Sequence, residues 1–145
     1  MAMTALNFRL EVNDEWPPIA RECLPFEPVH EGYRCLQAPL FVRDLSVDDI
    51  IVPDIDEEGS VASWHHLVRS ERTTIWLLRI GPSESIAGVV HQLCDLGCSS
   101  SELAAAGCYA IDVPGDVAIE RVDLCLDSLD ATSVAVAYPS FRHAE

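Results

Sequence analysis

The stretch Asp54-Ile-Asp-Glu-Glu-Gly59 sets four carboxylates and a glycine shortly before the adjacent pair His65-His66. Carboxylates and imidazoles this close together suit a hard cation or general acid–base work. A calcium loop of the EF-hand kind needs oxygens at positions one, three and five, glycine at six and a bidentate glutamate at twelve. Asp54, Asp56, Glu58 and Gly59 meet the first four requirements, but position twelve is His65. The flanks also alternate like strands, so the stretch reads as a hairpin tip whose glycine supplies a positive φ. His65 and His66 are neighbours on an expected strand, so they point to opposite faces and cannot share an ion. One should pack inward and the other face water. No serine-elbow, metalloprotease or cysteine-nucleophile pattern accompanies them, and Ser99-Ser100-Ser101 lacks elbow glycines and reads as the start of a strand. No catalytic residue and no cofactor is expected.

Thiols are the other reactive group. Cys23, Cys35, Cys94, Cys98, Cys108 and Cys125 would frame disulfides in a short secreted chain. The N-terminal Met-Ala-Met-Thr-Ala-Leu has no basic segment followed by an apolar one, so a cytoplasmic location and reduced thiols are expected. Cys94 and Cys98 are spaced like zinc ligands, but His91 and Cys108, the nearest candidates to complete a site, should sit on another turn and another strand. The thiols of the second half are therefore expected to enter the core separately, and no metal site is expected.

The charge pattern is more informative. All nine basic residues are arginine, and without lysine there can be no Schiff base and no P-loop lysine. Against 24 acids this leaves a formal charge of −15. Such a field repels nucleic acid and anionic membranes and attracts basic proteins. No base interrupts the run from Asp44 through Asp48, Asp49, Asp54, Asp56 and Glu57 to Glu58, which makes it the candidate docking surface for a basic partner. Trp16, followed by two prolines, is either a pre-ordered anchor for that partner or a plug in one end of a barrel. Trp64 and Trp76 lie in expected strands and read as core.

These residues need a scaffold, and 145 residues, nearly half apolar, suffice for one domain. Strands are expected at Leu6–Val12, Ala20–Pro28, Tyr33–Leu36, Leu40–Val42, Val47–Val52 and Ser60–Val68, separated by turn residues, as a small curled antiparallel sheet or partial barrel over residues 1–72. From Thr73 the period changes. Thr73–Ile80 is a strand. Ser83–Leu96 is a helix with Ile86, Val89, Val90 and Leu93 on one face, Glu84 in its first turn and Gly97 past its end. Ser100–Ala104 and Tyr109–Val113 are strands. A second helix opens at Asp116, the expected cap, with Ile119, Val122, Leu126 and Leu129 as its stripe, and Val134–Tyr138 closes the chain. Strand, helix, strand, strand, helix, strand over 73–145 is the order of a ferredoxin-like sandwich, so the fold class is α+β and the two halves are expected to form one compact unit.

Glu15-Trp-Pro-Pro18, the Gly32-Tyr33 turn, Pro39-Leu-Phe-Val-Arg-Asp44, Asp49-Ile-Ile-Val52, Leu96-Gly97 and Ala110-Ile-Asp-Val-Pro114 fall in an order and spacing that resembles the bacterial domain-of-unknown-function 4265 family. The resemblance runs over nearly the whole chain. It departs where the family usually carries Gly-Asp and this chain has Asp48-Asp49. It implies a bacterial, cytoplasmic, compact protein and transfers no catalytic residue. The expected function is a non-catalytic acidic protein-binding module, most concretely an immunity or inhibitor protein for a basic antibacterial toxin. The alternative is a small-molecule-sensing regulatory domain, which predicts a concave apolar pocket instead of a flat acidic face. A hydrolase ranks third.

Overall fold

A computed structural model describes residues 3–82 and 85–143. The helix start expected at Ser83 and Glu84 lies outside the described residues. The chain is α+β, and its described residues form nine strands in two sheets and two α-helices.

The first sheet contains β1 (Thr4–Arg9), β2 (Arg21–Val29), β3 (Gly32–Cys35), β4 (Ile50–Ile55) and β5 (Ser60–Val68). Successive strands pair antiparallel, and β1 then meets β5 in parallel through Asn7 with Ser60 and Phe8 with Val61. That parallel contact closes the sheet on itself. The expectation was of a curled antiparallel sheet or partial barrel, and the parallel pairing was not foreseen. Closure removes both sheet edges at the expense of one parallel seam. Period-2 alternation chooses the lining: Leu6 and Phe8 from β1, Leu24 and Phe26 from β2, with Cys35, Leu45, Ile51 and Val61, are all buried in one cluster. Phe8 sits at the centre of that cluster's aromatics, 5.8 Å from Phe26 and 6.4 Å from Trp64 between ring centroids.

The second sheet runs in the order β7 (Ser99–Leu103), β8 (Cys108–Val113), β6 (Thr73–Arg79), β9 (Val134–Ser140), all antiparallel. Helices α1 (Ser85–Asp95) and α2 (Ile119–Leu126) cover one face, with Ile86, Val89, Leu93, Ile119, Val122 and Leu126 packed on Ile75, Leu77, Ile111 and Val113. Gly97 ends α1 at φ 109°, where its amide reaches the Cys94 carbonyl at 3.0 Å and the Cys98 amide reaches that of Leu93 at 3.1 Å. This paired closure satisfies two orphan carbonyls and favours glycine at the left-handed position. Asp116 does not cap α2. The Val117 amide instead bonds the Pro114 carbonyl in a turn, and the helix starts two residues later from Ala118 with no side-chain cap.

The expected strand at Leu40–Val42 does not form. The amides of Leu40, Phe41 and Val42 donate to the buried carboxylate of Glu22 at 2.6, 2.9 and 3.1 Å. A side chain has taken the place of a strand neighbour. The segment thereby crosses the uncovered face of the second sheet, where the Ala38 carbonyl accepts from Ser101 Oγ and the Pro39 carbonyl from Trp76 Nε1.

Candidate functional site: a hub and a groove

The barrel and the second sheet meet in two chemically different places. The first is a polar hub centred on Asp49, whose side chain is completely buried. Its carboxylate accepts the Ser70 amide at 2.7 Å, the Ser46 amide at 3.0 Å, both Arg142 Nη groups at 3.0 Å and His66 Nε2 at 2.9 Å. An ionised carboxylate only accepts, so His66 Nε2 carries the proton. Burial opposes the charge, but the bonds from Arg142, Ser70, Ser46 and His66 outweigh it and hold the carboxyl below the usual aspartate range. Nearby, Arg72 grips the buried Asp112 at 2.8 Å and reaches Asp48 at 3.4 Å, while Ser46 Oγ meets Thr74 Oγ1 at 2.8 Å.

The expected acidic docking surface is thus largely neutralised in space. Asp49 is withdrawn from it altogether. Asp44 pairs with Arg69 at 2.6 Å, Asp48 with Arg34 at 2.7 Å, and Glu58 with Arg21 at 2.7 Å. Asp56 folds back on its own turn, accepting the Glu58 and Ser60 amides at 2.9 Å each, and pairs with Arg9 at 3.2 Å. These amides and Arg9 hold its carboxyl below the ordinary range, the Ser60 amide most. Among the described residues, Asp54 and Glu57 alone of the run have no arginine partner. The run is free of bases in sequence, but strands β1, β2, β3 and the segment after β5 bring arginines to it from elsewhere. Asp48 adopts φ 70°, so this left-handed position is held by an aspartate.

The histidines divide as their spacing requires, with His66 in the hub and His65 exposed on the other face of β5. Among the described residues no group of three or more His, Cys, Asp or Glu is placed to hold a metal ion. The thiols are all unpaired, and Cys94 is exposed instead of facing the core. Burial pushes Cys35 and Cys98 up to about 12, so neither is a reactive thiolate.

The second meeting place is a groove of about 660 Å³ on the sheet face without helices. Register explains its floor. Trp76 and Leu78 of β6 stand beside Ala137 and Ala135 of β9 and beside Ala110 and Cys108 of β8, so one large ring lies among small side chains. Phe41 and Leu40, held by Glu22, form one wall, and Trp16 and Pro17 another. Trp16 packs edge-on to Phe41 at 5.9 Å and remains 46% exposed, so it does not plug the barrel. Nor is Trp76 core: it is half-buried, with its Nε1 on Pro39. Trp64 packs against the barrel core. Trp16 is presented by a tight turn in which Asn13 and Trp16 exchange backbone bonds at 2.9 and 3.0 Å, while Asp14 and Glu15 take φ 53° and 64°. Two consecutive non-glycine residues in the left-handed region are strained, and strain of this kind concentrates at functional sites. The peptide between Trp16 and Pro17 is cis.

Sequence reasoning singled out Trp16 and missed Glu22, Arg43, Trp76 as a groove residue, and Arg142. Glu22 had left a signal, because it stands in phase with the inward-facing Leu24 and Phe26. Arg142 left none, since its partner Asp49 is far off in the sequence.

A family model described as "Domain of unknown function (DUF4265)" matches residues 23–136. The chain belongs to the DUF4265 family. No curated protein matches it. Among solved structures, a hypothetical protein from Neisseria gonorrhoeae is similar to this DUF4265 chain with a TM-score of 0.70 at 13% identity, over 99% of this chain and 96% of that one. At that identity the likeness concerns the fold. Among the described residues no helix is long and apolar enough to cross a membrane.

Proposed function

We propose that this DUF4265 protein is a non-catalytic binding module whose ligand lies in the groove between Trp16, Phe41 and Trp76, the small-molecule-sensing reading of the sequence. The observation that carries it is the groove itself: a concave, mostly apolar volume with aromatic walls, within the size range of small-molecule sites. Its walls are fixed before any ligand arrives, by Glu22 beneath Leu40 and Phe41 and by the Asn13–Trp16 turn, which lowers the ordering cost of binding. The second half fits a ferredoxin-like sandwich, since β7-β8-β6-β9 is the strand order of that arrangement and both helices pack on one face. The non-catalytic part rests on the histidines. His66 is committed to Asp49, and His143 bridges Thr73 and the Pro114 carbonyl.

The test is to fill the groove. Ala137 is exposed on its floor, so Ala137→Phe should fold normally yet lose binding of a flat apolar probe such as 2-naphthamide, followed by quenching of tryptophan fluorescence. Undiminished binding by this variant, or no binding by the parent, refutes the reading. A second reading, an immunity or inhibitor protein docked on a basic toxin, is favoured by the charge of −15 and by Asp54 and Glu57 at the β4–β5 hairpin, which have no arginine partner among the described residues. It predicts that Ala137→Phe binds its partner unchanged.

A further inference from the structure

We infer that the groove selects a ligand with a carboxylate attached to a flat apolar body, and that Arg43 is the residue that reads the carboxylate. The inference rests on the groove being a binding site. Six of the nine arginines are neutralised by carboxylates: Arg9, Arg21, Arg34, Arg69, Arg72 and Arg142. In a chain with 24 acids, an arginine left without one is the informative case.

Arg43 is such a residue, and it lines the groove. Its guanidinium carbon lies 5.2 Å from the centroid of the Trp76 ring, and among the described residues it has no ion pair or hydrogen bond. The stack on Trp76 limits where the guanidinium can go without using its N–H donors, since a ring face attracts the cation through its quadrupole. What remains is a planar fork of donors at the edge of an apolar cleft, the geometry that matches a carboxylate bidentately. Trp76 is in turn fixed by the bond from its Nε1 to Pro39 at 2.7 Å. The apolar body then rests beside Leu78, Ala135 and Ala137, with Trp16 at the side.

Two charges oppose an anion here. One is the overall field, but at physiological salt it is screened over about 8 Å, so the group in contact with the head decides. The other is Glu11, which also lines the groove. Glu11 is exposed and, among the described residues, has no partner that positions it, whereas Arg43 is held by a ring. The preorganised group therefore sets the preference.

The experiment compares three probes of one shape, 2-naphthoate, 2-naphthamide and 2-naphthylmethylammonium, by calorimetry on the parent protein and on Arg43→Gln. The parent should bind the naphthoate about tenfold or more tighter than the amide, as a charge-assisted pair in a partly desolvated site requires. Arg43→Gln should erase that preference, so that naphthoate and amide bind this variant alike. Equal binding of naphthoate and amide by the parent, preference for the ammonium, or a naphthoate preference that survives Arg43→Gln overturns the inference while leaving the groove as a site. Failure of all three probes to bind the parent removes the site and the inference together.

Discussion

The hub and the groove lie on the same interface between barrel and sheet, and they handle charge in opposite ways. In the hub every strong charge has found its complement. Asp49 accepts five hydrogen bonds, and Arg142 crosses from the end of the chain to supply two of them. In the groove a cation stands over a tryptophan and, among the described residues, makes no ion pair. A buried charge with a full set of partners is a structural part, because losing any partner leaves the rest uncompensated. An ordered charge without partners adds nothing comparable to stability, and its donors remain available to a ligand.

The largest expected effect therefore comes from the hub. Asp49→Ala strands the Arg142 guanidinium, the His66 ring and the Ser46 and Ser70 amides together. Removing one member of a buried charge pair costs about 3–5 kcal/mol, a large share of the roughly 5–15 kcal/mol that holds a domain of this kind. Urea unfolding should show the midpoint collapse, and in the extreme the variant should fail to fold. A midpoint near that of the parent would mean that hub and groove do not differ in the way described. Arg43→Ala, measured alongside, should leave the midpoint almost in place, since the residue is exposed and makes no ion pair among the described residues.

A smaller, more diagnostic effect separates the two buried carboxylates. Asp49 has its pKa lowered, so its contribution to stability is present above the usual aspartate value and is lost as pH falls through the lowered one. Glu22 supports the groove wall and is raised: burial pushes it up, and the amides of Leu40, Phe41 and Val42 offset only part of that. Its contribution is present below the ordinary glutamate value and is lost as pH rises through the raised one. Melting temperatures measured from acid to neutral pH should show the parent's advantage over Asp49→Asn growing with pH. Its advantage over Glu22→Gln should shrink. Parallel slopes for the two variants would contradict the assignment of opposite shifts.

What could be read in advance follows the range of the interactions. The helices were legible because Ile86, Val89 and Leu93, and then Ile119, Val122 and Leu126, repeat at three and four, a local pattern that tertiary contacts only reinforce. The family was legible in short motifs spread along the chain. The run from Asp44 to Glu58 was read as an acidic surface because arginine pairing is invisible along the sequence: Arg9, Arg21, Arg34, Arg69, Arg72 and Arg142 meet that run only in the folded chain. The Leu40–Val42 strand failed for a related reason. Its apolar residues suit a strand, but its amides found a glutamate from β2 instead of a neighbouring backbone. The groove depends on register between β6, β8 and β9, and no single segment carries that information.

The smallest expected change in stability belongs to Trp16, and it sharpens the comparison most. Trp16 is nearly half exposed, sits at the end of a strained turn and makes one edge-on ring contact, with Phe41. Replacing it with alanine should lower stability by about 1 kcal/mol or less, the scale of a single aromatic pair at a surface. If Trp16 were a barrel plug, the same substitution would open a cavity and cost about 3–5 kcal/mol. If it is a wall of a binding groove, the stability loss stays small while affinity for 2-naphthamide falls several-fold, because a rigid aromatic wall has been removed from the cleft. Denaturant midpoint and probe affinity measured on the same preparation of Trp16→Ala distinguish these cases. A large loss of stability, or an unchanged affinity, would show that the difference drawn between hub and groove does not extend to this tryptophan.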